Sequence, residues 1–399
     1  MKKFNKFLSV ALASAMVMAM AGCGNTDNGS AATGTNAATE SAASGSVFKI
    51  GGIGPTTGGA AVYGLAVQHG AEIAVEEINA AGGINGYQIE FKFQDDEADA
   101  EKSVNAYNAL KDWGAQIIDG STTSGACIAV TDKTKEDNMF QITPSGSAVE
   151  CVQYDNNFRV CFSNPNQGLA SAQYIGENGL AEKIAVIYDS SDVYSSGIYE
   201  KFAKEAENQP FEIVAAEAFT ADNKTDFSVQ LQKAKDAGAD MVFLPIYYQE
   251  SALILTQAAA MGYAPKWFSC DGMDGILGGV DNFDVSLTEG VMLLTPFAAD
   301  ATDDLTQSFV TKYKEKYGET PNQFAADSYD AIYVIKAAIE KSGVTPDMSV
   351  SDICDGMKAA MTEITVDGLT GNGMTWTADG EANKAPKAVV IENGAYKAM

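Results

Sequence analysis

From residue 47 onward, short apolar runs alternate with stretches whose apolar residues recur at helical spacing. Residues 48–53 read as a strand and 62–81 as a helix, with Val67, Ala71, Ala74, Val75 and Ile78 on one stripe. Gly82 and Gly83 stop that helix. A strand over 87–93, a helix over 103–113, a short strand at 117–118, a helix ending near Glu136 and a strand over 139–142 follow. The alternation restarts at 183–189, where Ile184, Ala185, Val186 and Ile187 are apolar on both faces, as in a central strand of a parallel sheet. Residues 241–244 repeat the pattern, after a helix carrying Phe227, Leu231 and Ala234 and ended by Gly238. Next come a strand at 291–294 and a helix with Ala325, Tyr329, Ile332, Ile335 and Ile339 on one side. Residues 374–377 and 388–391 read as closing strands, with turns at Asp379-Gly380 and Asn393-Gly394. Such alternation predicts α/β architecture with parallel sheets, and two sheets at this length.

The N-terminal segment follows another pattern. Lys2, Lys3 and Lys6 precede an apolar run over 7–20, then Met20-Ala21-Gly22-Cys23. A basic start, a short apolar run and small residues before a cleavage point read as a secretory signal, too short to span a membrane. A Cys directly after the small pair resembles the lipobox of bacterial lipoproteins, in which that Cys is lipidated. Residues 24–46 carry no basic or aromatic side chain. They read as a flexible tether spanning roughly 25–30 Å. The expectation is a leader over 1–22, a lipidated Cys23 with its tether over 23–46, and a folded part held outside the cytoplasm by acyl chains.

Charge narrows the partners. The formal net charge of −27 becomes −30 once Lys2, Lys3 and Lys6 leave. So anionic a surface repels nucleic acid and anionic lipid. Beyond Cys23 the cysteines are Cys127, Cys151, Cys161, Cys270 and Cys354, an odd and scattered set without a Cys-x-x-Cys pair. Cys151 and Cys161 bracket the turn-rich Asp155-Asn156-Asn157 and could pair across a hairpin; otherwise the cysteines serve as small buried apolar residues. His69 is the single histidine and is read as solvated beside Glu72 and Glu76. Ser-His-Asp, Cys-His and multi-His metal sites are therefore not expected, nor is any cofactor. Gly52-Ile53-Gly54 lacks the third glycine of a dinucleotide fingerprint, having Thr57 there. The acidic run Asp95-Asp96-Glu97-Ala98-Asp99 is read as helix caps and dipole partners rather than a calcium site.

What recurs is a hydroxyl or carboxylate just past the carboxyl end of a strand. Ser121 to Ser124 follow Ile117-Ile118, Ser145-Gly146-Ser147 follow Ile142-Thr143-Pro144, and Asp271-Gly272 follow Trp267-Phe268-Ser269. Open α/β sheets bind ligands at that edge. Hydroxyls and free N–H groups suit a carboxylate, and an aspartate suits an ammonium. The same loops also serve as plain helix caps.

Several stretches together carry a family likeness: Ile50-Gly51-Gly52-Ile53-Gly54-Pro55-Thr56-Thr57-Gly58-Gly59 with Tyr63-Gly64; residues 71–86 ending in Ile78-Asn79-Ala80-Ala81-Gly82-Gly83-Ile84-Asn85-Gly86; Gln141-Ile142-Thr143-Pro144; Ala326-Asp327-Ser328-Tyr329-Asp330-Ala331; and residues 371–380. On these, residues 47 to about 395 resemble the branched-chain amino-acid type of periplasmic substrate-binding protein, the soluble receptor of an ABC importer. The resemblance implies a two-lobed type I periplasmic-binding-protein fold, each lobe a mostly parallel sheet flanked by helices, with three crossovers. The lobes would be 47–165 with 295–373, and 166–294 with the closing segment 374–399. It further implies that Ser124 bonds a ligand carboxylate, and that Ser145 through its backbone and Ser147 through its hydroxyl serve carboxylate and amine. Asp271 would pair with the ammonium, and Tyr63, Tyr194 and Tyr247 would line the cleft. Tyr248 and Phe297 are added as further walls of an aromatic enclosure. Asp271 stands where some relatives have Glu, and Ser145-Gly146-Ser147 where the family often has Ala-x-Thr.

The function expected from all this is capture without catalysis: an amino acid held between lobes and delivered to permease subunits by a monomeric, membrane-anchored receptor. A tethered sensor with the same cleft is the alternative in kind. Aromatic or polar amino acids, amides and other small carboxylates are the alternative ligands.

Overall fold

The computed structural model describes residues 45–399; the leader, Cys23 and the tether up to residue 44 lie outside the described residues. Among the described residues the strands form two sheets. The first is built from β1 (Phe48–Gly54), β2 (Ile89–Asp95), β3 (Ile117–Asp119), β4 (Phe140–Thr143) and β5 (Asn157–Arg159) in the order β2-β1-β3-β4-β5, every pairing parallel. Its connecting helices are α1 (Ala61–Ala80), α2 (Ala100–Trp113) and α3 (Ser124–Asp137).

After β5 the chain enters α4 (Asn164–Glu177) and builds β6 (Lys183–Asp189), α5 (Val193–Ala206), β7 (Glu212–Phe219), α6 (Ser228–Asp236), β8 (Met241–Leu244), α7 (Tyr248–Ala260), β9 (Lys266–Ser269) and β10 (Met292–Thr295). It then returns to the first sheet. Of α8 (Asp304–Tyr317), α9 (Gln323–Ser342) and α10 (Val350–Met361), α9 lies along α1 and over β3 and β4, and α10 touches β4. A last passage places β11 (Lys387–Glu392) and β12 (Ala395–Ala398) on the second sheet, ordered β12-β11-β10-β9-β8-β6-β7. Only the two pairings of β11, with β10 and with β12, are antiparallel there. The chain thus passes between the two halves three times. One apolar core runs continuously through both halves.

Small residues let these layers approach. A Cβ on Gly52 would come 2.3 Å from the Phe93 ring, and one on Gly70 would come 2.0 Å from the Ala325 carbonyl oxygen. Gly70 therefore sets the distance between α1 and α9. Gly70→Ala should push them apart and destabilise the fold by about 1–3 kcal/mol, read from urea unfolding midpoints.

Helix and strand expectations hold in most places, and Asn393-Gly394 makes the expected tight turn with both φ positive. Asp99 caps α2 by accepting the Lys102 N–H at 2.9 Å. Three readings need correction. Residues 374–377 form no strand: Met374 and Trp376 make isolated antiparallel bridges to Val366 and Ala382. The segment folds back on itself, Thr377 and Glu381 closing a loop while the Trp376 indole donates to the Arg159 carbonyl at 2.8 Å. Cys151 and Cys161 are not paired, and all the described cysteines are free and buried. No hairpin joins them, because Asp155-Asn156-Asn157 leads into β5, which runs parallel to β4. His69 is half-buried, stacked on Tyr317 at 3.6 Å, and its pKa is lowered by burial. Tyr194 stands in the first turn of α5, which Asp192 caps.

Candidate ligand-binding site

Parallel strands ending in the same direction bring the sequence-predicted loops together. On the first half, the turn after β3 runs Thr122-Thr123 into the N-terminus of α3 at Ser124, and the turn after β4 carries Ser145 and Ser147. On the second, the first turn of α5, which follows β6, supplies Tyr194, the turn after β8 Tyr247, and that after β9 Asp271. A cavity of about 20 Å³ lies between them. That is room for little more than one water molecule. Its walls include Ser124, Ser145, Tyr63, Tyr194, Tyr247 and Asp271, six of the nine predicted site residues, together with Thr122, Thr123, Gly272 and Phe324.

The first half presents hydroxyls held by backbone. The Ser124 hydroxyl accepts N–H bonds from Ser147 and Ala148, each at 3.1 Å, which fixes its position. Ser145 Oγ donates to the Thr122 carbonyl at 2.7 Å. Thr123 Oγ1 is buried without a hydrogen-bond partner. That leaves it able to donate or accept inside the cavity. First-turn N–H groups of α3 start at Ser124 and add a positive helix end.

The second half presents a carboxylate. Tyr194 donates its hydroxyl to Asp271 Oδ1 at 2.6 Å, and Gln167 donates Nε2 to Oδ2 at 2.8 Å. Burial pushes the Asp271 carboxyl up to about 7, while these two donors pull it back. Tyr63 spans the halves: its hydroxyl donates to the Gly272 carbonyl and accepts the Tyr248 N–H at 3.2 Å. Tyr247 stacks on Tyr194 at 5.0 Å and meets Tyr63 edge-on at 5.5 Å.

Three predicted residues stand elsewhere. Ser147 lies behind Ser124, its hydroxyl 3.5 Å from the Ser124 hydroxyl. Tyr248 backs Tyr63 edge-on at 5.2 Å. Phe297 packs on Phe309 at 6.2 Å in the core where the chain leaves β10, so its ring is spent there. The phenylalanine of the cavity is Phe324, at the start of α9, 4.5 Å from the Tyr63 ring. Sequence reading also passed over Gln167, for which no local signal exists, and Thr123, which the run of hydroxyls before α3 did contain. Among the described residues no group of three or more His, Cys, Asp or Glu side chains is placed to hold a metal ion.

A family model described as periplasmic binding protein matches residues 47–395. "Leu/Ile/Val-binding protein homolog 3" of Brucella melitensis is 30% identical over 300 residues, covering 75% of this chain and 80% of that protein. The "Leucine-, isoleucine-, valine-, threonine-, and alanine-binding protein" of Pseudomonas aeruginosa is 30% identical over 303 residues, 74% of this chain and 79% of its own. Among solved structures, the branched-chain amino acid transporter substrate binding protein LivJ from Streptococcus pneumoniae, in complex with isoleucine, superposes with a TM-score of 0.79 at 29% identity. That superposition covers 88% of this chain and 99% of LivJ.

Proposed function

The chain belongs to the periplasmic binding protein family, as an extracytoplasmic substrate-binding component of amino-acid ABC transport rather than an enzyme; from that premise we propose that it captures a free aliphatic α-amino acid between its two halves and delivers it to a membrane importer. The observation that carries this reading is the opposition, across one cavity, of Asp271 on one half and the hydroxyls of Thr123 and Ser124, with the backbone at Ser145, on the other. A zwitterion fits that polarity: its ammonium faces Asp271, its carboxylate the hydroxyls and the α3 N-terminus. Its side chain lies against Tyr63, Tyr194, Tyr247 and Phe324, which must part to admit it, since the cavity as it stands holds little more than one water molecule. The named relatives and the isoleucine complex support an aliphatic side chain. Closure is favoured because only the closed form completes both sets of contacts. Residues 47–165 with 295–373, and 166–294 with 374–399, act as the two lobes, a division supported by the sheet each strand joins, save that 374–384 bonds to the first half through Trp376, Gly380 and Lys384. Cys23, lipidated, anchors the monomer to the membrane through the tether.

A thermal-shift panel on the purified chain from Ser46 onward tests the ligand class. A cognate amino acid at 100 times its dissociation constant should add about 2.7 kcal/mol of stability. Polyamines, sugars and nucleosides should add none. A panel in which no amino acid responds defeats the proposal.

Asp271 also fixes a pH dependence. With its carboxyl near 7 in the unliganded protein, a growing fraction is protonated as the pH falls. A protonated Asp271 must release its proton to pair with an ammonium. Affinity should therefore be level above about pH 8 and weaken by up to about tenfold per unit below pH 7. Calorimetric dissociation constants at pH 5, 6, 7 and 8 measure this; a flat profile would remove Asp271 from the ammonium.

A further inference from the structure

A second, much larger cavity of about 530 Å³ adjoins the start of α9, which gives Asn322 to this cavity and Phe324 to the first. That volume is ordinary for a small-molecule site. One wall is the apolar face of Val62 and Ala66 on α1; facing it are the loop after β9, with Leu277, and the turn between β11 and β12. The loop lies close because it is glycine there: a Cβ on Gly275 or Gly279 would come 2.7 or 2.6 Å from Val62.

The buried polar group of this cavity is Asp274, 4% exposed. Its Oδ2 accepts the Gln323 N–H at 3.0 Å. Its Oδ1 has no well-formed hydrogen bond, and neither has the Tyr396 hydroxyl, which stands close beside it. The Tyr396 hydroxyl carries a proton of its own that can turn towards Asp274, but among the described residues no cation stands beside this buried carboxylate, and the tyrosine oxygen keeps room to accept. The other charges are already matched or exposed. Lys397 faces Asp300 at 3.9 Å, Glu319 faces His69 at 3.8 Å, and Lys314 lies exposed at the rim.

We propose that this cavity is a second binding site, for a small primary ammonium on a short aliphatic stem. The ammonium donates to Asp274 Oδ1 and the Tyr396 hydroxyl oxygen, and the stem packs on Val62, Ala66 and Leu277. Three N–H donors on one cation match two unfilled acceptors, and the cation balances a carboxylate that burial otherwise disfavours. Val62 and Ala66 come from one half and Asp274, Leu277 and Tyr396 from the other. An occupant therefore touches both halves at once, yet meets none of the residues that face the first cavity.

The test is a titration of the whole mature chain, labelled with ¹³C at its Val and Leu methyls, with n-butylammonium chloride, n-butanol and sodium butyrate in parallel. Val62 and Leu277 methyl signals should shift saturably with butylammonium, with a midpoint at least tenfold lower than for butanol, and should ignore butyrate. Asp274→Asn should raise that midpoint at least tenfold, and Tyr396→Phe severalfold. Should Asp274→Asn not fold, Leu277→Trp narrows the cavity beside Val62 without touching the carboxylate and should abolish the shift of the Val62 methyls. Equal response to butanol and butylammonium, silent Val62 and Leu277 methyls, or parental midpoints in the variants that fold, each overturns the site.

Discussion

Asp271→Ala should weaken amino-acid binding by well over a hundredfold while leaving the fold in place. The variant deletes the one carboxylate facing the ligand ammonium inside a small, buried cavity. Leaving one member of a buried ion pair alone costs on the order of 3–5 kcal/mol. The fold survives because the loss is local: Tyr194 and Gln167 each lose one acceptor, a cost of about 1–3 kcal/mol. Tyr194 still accepts the Gly272 N–H at 2.8 Å, and Tyr63 still reaches the Gly272 carbonyl. Burial already disfavours the ionised carboxylate, which offsets part of that cost, so the melting temperature should fall only slightly. Asp271→Asn separates charge from shape, since its amide oxygen can still accept the Tyr194 hydroxyl; it should lose at least tenfold. Calorimetry for affinity, with circular dichroism melting for the fold, reads both. An alanine variant that binds within tenfold of the parent would discredit the role given to Asp271.

How much of this site could be read from the chain follows from how local its causes are. The loops after β3, β4 and β9 were legible because an apolar run followed by Ser, Thr or Asp marks a strand end, and parallel strands put those ends together. Phe297 and Phe324 are the same residue type, and sequence offers no means of choosing between them. Which ring enters the cavity depends on where α9 begins relative to α1. Gln167 reaches Asp271 across 104 residues, a distance no motif encodes. The 374–377 misreading is instructive in another way. Met374 and Trp376 are buried while Thr375 and Thr377 are exposed, so the alternation reported burial correctly. It did not report that the backbone bonds go to a local loop instead of a sheet. Periodicity sees side-chain environment; it is blind to the partner strand.

The Ala326-Asp327-Ser328-Tyr329-Asp330-Ala331 stretch carried family likeness with no visible cause, and its cause is long-range. Ser328 donates to Asp119 at 3.1 Å, Asp330 accepts the Leu369 and Thr370 N–H groups, and Asp327 takes Lys384 at 2.7 Å. That last pair is almost fully buried, 1% and 2% exposed, and ties the final crossover to α9. Lys384→Met should accordingly destabilise the protein by about 3–5 kcal/mol near pH 8, because Asp327 is left buried without its cation. Burial lifts the Asp327 carboxyl to about 6 even with Lys384 opposing it. A folded-state value raised above the ordinary 3.8 means this group favours folding most when protonated and loses that contribution as the pH climbs through the folded value. Without Lys384 the folded value rises further, and the loss extends to higher pH. The gap between variant and parent should thus be widest near pH 8 and narrow towards pH 5, in urea unfolding at the two pH values. Lys384→Met with Asp327→Leu, which removes both charges, should recover most of the stability, since a buried ion pair adds little over a well-packed apolar one. A gap equal at both pH values, with no recovery in the double variant, would show that Lys384 acts by packing on Phe162, 6.0 Å away, and not by neutralising Asp327.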